Sequence, residues 1–457
     1  MKKRGAEHME NKRSKKDYGG LGLLPLLIFL ALYIGSGIVY AILGTPKPFT
    51  VMIRYAPLLV GLLVGLIFFD REETIAQKAE IYFASAGRSG AMQLCLIILM
   101  AGGFAGAADA IGGKSSMANL AVALIPSNFV IPGIFILCAV MSICIGTSIG
   151  TLAAILPVAQ AMCEGTGLSL GLAAAAAIGG AYFGDNLSMI SDTTIGATQG
   201  VGAEMKDKFR MNFRIALPAA LVAVVAFYFT GMGSAASSVA MEAGEYNLLT
   251  ILPYFAVLVL AIIGMDVVLV LAIGMALTGV LGIATGTSFI AWINGISSGM
   301  EGMFWFVSFA IMISGVVGLV RYYGGLDWMV DKLTKPVKGE KSCEYILVLI
   351  PLIVSALIAN VTLGIIITVP IVKELGDRYK IAPKRMASLI DIGGCLGVTF
   401  VPHANAILMA QAQMGCEFNE IVPYSFYTFA LAIATILTIQ LGLLKGKEGK
   451  KDAKAKG

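Results

Sequence analysis

The amino-acid sequence predicts an all-α polytopic membrane protein made of two inverted structural repeats with broken helices. Three observations predict it. First, 58% of the 457 residues are hydrophobic and 13% are charged; the mean hydropathy is +0.85. That charged share is about half of what soluble domains carry. Second, apolar runs near the ~20-residue spanning length recur from end to end. Third, the two halves share a pattern of glycines and polar breaks in register. A large soluble helical protein has no use for so much apolar surface.

Taken in order, hydropathy places spans near 23–43, 51–69, 91–109, 130–163 (broken), 169–184, 213–230, 248–264, 266–284, 302–320, 344–376 (broken), 386–400 and 421–443. The first span is too long for a signal peptide and has no small-residue cleavage pattern. The loop after the second, DREETIAQKAEIYFASAGR, is polar and amphipathic and is expected at the membrane interface. The seven Cys are scattered through apolar runs without a CxxC pair, which reads as small buried hydrophobes rather than disulfides or zinc ligands. His8 and His403 alone do not make a His-based metal site. No cofactor is expected.

The charges set the topology. The two ends carry 13 of the 33 Lys and Arg against five Asp and Glu, about +8 in total, while the whole chain is +5. The basic charge therefore belongs to the tails. Basic tails beside apolar spans are cytoplasmic by the positive-inside rule, and no aromatic or folded partner accompanies them to suggest nucleic acid. The clusters at 206–214, 331–341 and 373–385 are likewise expected inside, and 242–246 and 415–420 outside. Both termini then lie in the cytoplasm, and the number of crossings is even. The resulting division is 1–20, a basic tail; 21–90, N-terminal membrane helices and an interfacial helix; 91–230, repeat 1; 231–300, connecting membrane helices; 301–445, repeat 2; and 446–457, a basic tail.

The repeat rests on three matches. AGGFAGAADAIGG (101–113) lies over ISGVVGLVRYYGG (313–325), with Gly103, Gly106, Gly112 and Gly113 on Gly315, Gly318, Gly324 and Gly325. GTSIGTLAAILPV (146–158) resembles ANVTLGIIITVPI (359–371), and IGGAYFGDN (178–186) resembles IGGCLGVTF (392–400). By the charge argument the first half starts from the cytoplasm and the second from outside, which makes the repeats inverted and points to a secondary transporter. Gly-rich membrane helices that look alike by chance are the plain alternative.

Polar residues interrupt these spans. In GTSIGT, Gly146, Thr147, Ser148, Gly150 and Thr151 stand mid-span. Freed backbone is tolerated in a membrane only where protein or a wet cavity satisfies it. A broken helix there would offer carbonyls and hydroxyls as hard ligands for sodium; alternatively the hydroxyls bond back to their own helix. Asn360 and Thr362 occupy the matching place. In GGAYFGDNLSMISDTTIGATQG (179–200), Asp185, Ser188 and Asp192 fall on one face if the helix continues. If it unwinds, its carbonyls join them. A carboxylate at membrane depth is costly unless paired, protonated or bound to a cation, so one group could hold sodium and protons in competition. The alternative is that Asp192-Thr193-Thr194 caps the next helix. In the second half TFVPHANAILMAQAQ supplies His403 and Asn405; the imidazole is either a proton carrier or a hydrogen-bonded packing group. Asp109, Arg321, Asp266, Asp391 and Glu374 are weaker candidates, the last two as surface charges beside basic clusters.

GAYFGDNLSMISDTT and GTSIGT resemble the signatures of NhaC-type sodium/proton antiporters, in the wider ion-transporter superfamily, and the likeness runs over roughly residues 20 to 445. The resemblance implies an elevator-like transport region on a scaffold, a sodium site from Thr147, Ser148, Asp185, Ser188, Ser191 and Asp192, and a homodimer. Met189 stands where that family usually has proline, and Pro402-His403 where it tends to have Pro-Trp. The expectation is a sodium/proton antiporter of the bacterial cytoplasmic membrane, surrounded by lipid and not an enzyme, with Asp185 and Asp192 holding the cation. A sodium- or proton-coupled carrier of an amino acid or small organic acid, contacting its solute through His403, Asn405 and Asn360, is the alternative on the same fold. An intramembrane aspartyl protease is not supported: Tyr182 stands where its Gly-x-Gly-Asp motif needs glycine.

Overall fold

The structure, a computed structural model, describes residues 17–45, 51–53, 55–87, 89–124, 126–189, 191–237, 245–263 and 265–444. Most of both basic tails, and residues 242–244 of the expected outer loop, lie outside the described residues. Among those described there is no strand. Eight helices among the described residues are long and apolar enough to cross a membrane, or nine with the bent pair Phe418–Tyr424 and Phe426–Gln440. The protein is a multi-pass membrane protein. Two expected spans, near 51–69 and 248–264, form shorter apolar helices.

The helices in chain order are α1 (Leu24–Ile42), α2 (Tyr55–Ile67), α3 (Ile75–Ala86), α4 (Ser89–Ala110), α5 (Gly113–Leu124), α6 (Ser127–Ile145), α7 (Ser148–Thr166), α8 (Leu170–Leu187), α9 (Asp192–Val201), α10 (Met205–Ser237) and α11 (Leu248–Ile262). They continue as α12 (Val267–Ala284), α13 (Phe289–Glu301), α14 (Phe304–Tyr322), α15 (Gly325–Thr334), α16 (Glu340–Ile358), α17 (Val361–Arg378), α18 (Pro383–Thr399), α19 (Asn405–Met414), α20 (Phe418–Ile421) and α21 (Phe426–Gln440).

The chain forms two compact units, 1–92 with 308–336 and 93–307 with 337–457. Residues 308–336, placed in repeat 2 by the sequence, thus belong to the first unit. In that unit α1 packs on α2. A capping box at Thr74 and Gln77 starts α3. Lys78 on α3 is buried. Its ammonium donates to the carbonyls of Leu66 and Phe69, at 2.5 and 2.7 Å, and so closes the free end of α2. Phe69, Leu319 and Tyr323 form a small core beside it.

The second unit repeats one pattern twice. α6 ends at Ile145, Gly146 is left-handed (φ 76°), Thr147 is extended, and α7 begins at Ser148. α16 ends at Ile358, Ala359 is left-handed (φ 60°), Asn360 is extended, and α17 begins at Val361. The next pairs break in the same places: α8 stops at Leu187 and α9 starts at Asp192, while α18 stops at Thr399 and α19 starts at Asn405. Packing follows the pattern. α6 packs on α8 as α16 does on α18, and each short helix crosses to the other set, α9 onto α17 and α18, α19 onto α7 and α8. A Cβ on Gly180 or Gly184 would strike the carbonyls of Phe135 or Ala139 on α6; on Gly393 or Gly397 it would strike those of Val348 or Leu352 on α16. These close approaches pair Gly180 with Gly393, one residue off the register read from IGG in the sequence. The long helix α10 runs against α6, α8, α18 and α21.

Candidate ion site

The polar breaks of the second unit meet at one cavity, open on one side. Its lining includes Thr147, Ser148, Asp185, Asp192, Asn360, Thr362 and Asn405. These come from the N-terminal turns of α7, α9, α17 and α19 and from the end of α8. The N-terminal ends of four helices give the cavity positive partial charge. Asp185 is the buried carboxylate of the lining, only 3% exposed.

Asp185 sits in the last turn of α8. Its Oδ2 accepts from Ser148 Oγ at 3.1 Å, and its Oδ1 from Thr193 Oγ1 at 3.1 Å. Two helix starts thus supply one hydroxyl each to a carboxylate at the end of a third helix. Asp192 differs. The preceding helix stops at Leu187, so Asp192 opens α9 and is exposed, though it lines the cavity. The cap is Ser191, whose Oγ accepts from Thr194 N at 3.2 Å. The one-face arrangement of Asp185, Ser188 and Asp192 is therefore not formed, because the extended backbone at Ser188 ends the helix first.

Ser188 and Ser191 are buried but do not line the cavity. Ser188 Oγ donates to the Ile143 carbonyl at 3.1 Å, and Ser191 Oγ reaches the Asp185 carbonyl at 3.3 Å. Both hold the break in shape. Asn360 accepts from Leu363 N at 2.9 Å and caps α17. His403 is buried against the backbone of Ala356 and Leu357, away from the cavity lining. Of the weaker candidates, Asp109 and Arg321 are exposed. Asp266 caps α12, and Glu374 is an exposed partner of Arg378.

Asp391 is not a surface charge. It is 0% exposed, and its Oδ2 lies 2.7 Å from Lys208 Nζ, itself 0% exposed. Lys208 also donates to Thr194 Oγ1 at 2.7 Å and to the Asn186 carbonyl at 2.8 Å, which uses all three ammonium hydrogens. Asn212 Nδ2 donates to Asp391 Oδ2 and to the Asn186 carbonyl, both at 2.9 Å. Asn186 in turn donates to Tyr427 Oη at 3.2 Å. A second buried pair, Arg385 with Glu344 at 3.0 Å, joins α18 to α16. The basic clusters hide Lys208 and Arg385 because most of the other charged residues in them are exposed. Periodicity exposes Lys208: it shares the buried face of α10 with Met211, Asn212, Ile215 and Ala219.

The profile of the Na+/H+ antiporter family matches residues 4–232 and 236–445. The chain is 23% identical to the Na(+)/H(+) antiporter NhaC of Alkalihalophilus pseudofirmus, over 68% of this chain and 74% of that protein. It is 22% identical to the malate-2H(+)/Na(+)-lactate antiporter of Bacillus subtilis, over 94% of each. It is 25% identical to the arginine/ornithine antiporter ArcD of Halobacterium salinarum, over 71% of this chain and 74% of that protein. With a family match from one end of the chain to the other and a buried carboxylate at the junction of its broken helices, the protein belongs to the Na+/H+ antiporter family.

Proposed function

We propose that this protein is a secondary active transporter that exchanges sodium for protons across the bacterial cytoplasmic membrane. One observation carries the reading: Asp185 is a buried carboxylate at a helix break, lining a cavity and steadied by hydroxyls from two other helix starts. A cation at the carboxylate and a proton on it exclude each other, so one group couples the two fluxes. Sodium would be held by Asp185, with Thr147 and Ser148 from the first break; Asp192 adds charge at the cavity wall. Ser188 and Ser191 support the turn. Thr362, Asn360 and Asn405 complete the far wall.

The matching breaks and the exchange of short helices between the two sets support inverted repeats. An elevator-like movement, cytoplasmic termini and a homodimer are further parts of the proposal, which rest on family likeness and charge distribution. The chain acts as a transporter rather than an enzyme.

One observation favours a second cargo. Four helix starts around one cavity also suit a carboxylate from solution, and relatives include a malate/lactate and an arginine/ornithine antiporter. A carrier of a small organic acid or amino acid on this fold would place its solute between Asn360, Asn405 and a sodium at Asp185.

Proteoliposomes with a preset pH gradient distinguish these. Sodium added outside is expected to collapse the gradient, whereas potassium and choline are not, and Asp185→Asn is expected to abolish the response while the protein remains folded. A response that appears only with an organic acid or amino acid present would favour the second cargo. Normal exchange by Asp185→Asn would remove the aspartate from the mechanism.

A further inference from the structure

The buried cluster contains two carboxylates and one ammonium. Asp391 and Lys208 are paired and absent from the cavity lining, while Asp185 lines it. We propose that Lys208 is a permanent internal countercation: it cancels Asp391, leaves the buried cluster with a single negative charge (Asp192, at the cavity wall, is exposed), and thereby limits exchange to one sodium for one proton. The proposal rests on the reading of Asp185 as the exchanging carboxylate.

The hydrogen bonds support a fixed charge. All three ammonium hydrogens have buried acceptors: Asp391 Oδ2, Thr194 Oγ1 and the Asn186 carbonyl. Each acceptor has a second donor, Asn212 for Asp391 Oδ2 and the Asn186 carbonyl and Ser191 for Thr194 Oγ1, so what holds the proton on Lys208 is the charge of Asp391, which would be left buried without a countercharge if the ammonium were neutralised. Asp391 Oδ2 is also occupied by Asn212. Asp391 Oδ1 has no such hydrogen bond, but only Asp185 of the three groups lines the cavity, and that is the carboxylate an entering cation meets.

The charge count then explains coupling. With Asp185 ionised the three groups sum to −1, and one proton or one sodium brings them to zero. Charge in a medium of low dielectric is costly. Both loaded states are neutral and can cross; the empty state carries a net charge and is held back. A site of this kind exchanges without leaking either ion alone. The lysine also ties α10 to α18, to α8, which carries Asp185, and to α9, which carries its partner Thr193.

The test is the flux-reversal point of the wild-type protein in proteoliposomes. With a one-unit pH gradient, net sodium flux should vanish at a ~tenfold sodium gradient, and an imposed membrane potential should not move that point. Reversal at a ~hundredfold gradient, or a point that moves with potential, overturns the proposal and leaves sodium/proton exchange standing. Absence of any sodium-linked proton movement removes both readings.

Variants provide a second line. Lys208→Met leaves two uncompensated buried carboxylates and should slow exchange by ~tenfold or more. Lys208→Met/Asp391→Asn restores the single charge; it should be ~tenfold faster than Lys208→Met and reverse at the same gradient. A double variant that is folded, by elution and melting, yet no faster than Lys208→Met would place Asp391 in direct contact with the transported ion and overturn the proposal.

Discussion

Replacement of Ser148 by alanine tests how the Asp185 carboxylate is held. Ser148 Oγ donates to Oδ2 at 3.1 Å, and Thr193 Oγ1 to Oδ1 at the same distance. Ser148→Ala removes one of these two donors and one oxygen from the cavity wall. A hydrogen bond to a charged group contributes about 1.5–3 kcal/mol. At 1.36 kcal/mol per factor of ten, that corresponds to a loss of ~10- to 150-fold in sodium affinity. The cavity admits water, which can replace part of the bond, so the expected value lies near ~tenfold. Both consequences have one sign: the carboxylate loses a group that favours its ionised form, and sodium loses a hydroxyl ligand. The assay is the sodium concentration for half-maximal exchange in proteoliposomes, together with sodium-induced thermal stabilisation of the purified protein. Ser148→Ala should raise the half-saturation concentration and shrink the stabilisation, while the sodium-free melting temperature changes little. A half-saturation within ~twofold of wild type, where a bond of this class is worth far more, would show that Ser148 does not support the ion site.

Three other predictions follow from single contacts. Asp192→Asn alters an exposed charge at the start of α9, and it should change sodium half-saturation by ~fivefold at most; complete loss of exchange would give Asp192 the role assigned to Asp185. Gly184→Ala puts a methyl group against the Ala139 carbonyl and Ser142, and should cost about 1–3 kcal/mol in detergent unfolding; an unchanged melting temperature would show that α6 and α8 separate readily. Glu344→Ala leaves the buried Arg385 guanidinium uncompensated and should cost about 3–5 kcal/mol, most of it regained in Glu344→Leu/Arg385→Met; a loss under ~1 kcal/mol would mean that the guanidinium finds solvent.

Much of the site was legible because membranes penalise polar residues so strongly. Gly146-Thr147-Ser148 and Ala359-Asn360 interrupt long apolar runs, and the helices break there. Gly112 and Gly324, matched in sequence, share the same left-handed backbone, with φ of 75° at both. Asp185 stood out as a carboxylate directly after an apolar run. The Lys208–Asp391 pair was hidden for a physical reason. Lys208 lies among Lys206, Arg210 and Arg214, whose exposed side chains give the segment the composition of a surface. Asp391 lies on α18, where every residue from Arg385 to Thr399 is buried, so no polar stripe marks an outer face. Only the partner, 183 positions away in the chain, explains how either charge can be buried. For Asp192 the sequence left two arrangements open. Its spacing from Asp185 fits a continuous helix, but Ser188 ends one helix and Ser191 caps another between them, so the broken arrangement is the one formed.

On the proposed reading a sodium site needs no preformed cage of carboxylates. Helix starts supply partial positive charge around Asp185, and the hydroxyls of Ser148 and Thr193 align it. Lys208 would keep the second carboxylate from competing for the cation, and the transported ion would be the last charge the buried cluster needs for neutrality, so that occupancy and movement depend on each other.

The central claim, that sodium and a proton compete for Asp185, is tested most directly by counting protons. Sodium is added to purified protein in weakly buffered detergent solution, and proton release is read with a pH-sensitive dye. The account predicts release that approaches one proton per sodium bound as the starting pH falls, with none from Asp185→Asn. Sodium binding without proton release at any pH, or undiminished release from Asp185→Asn, would contradict it.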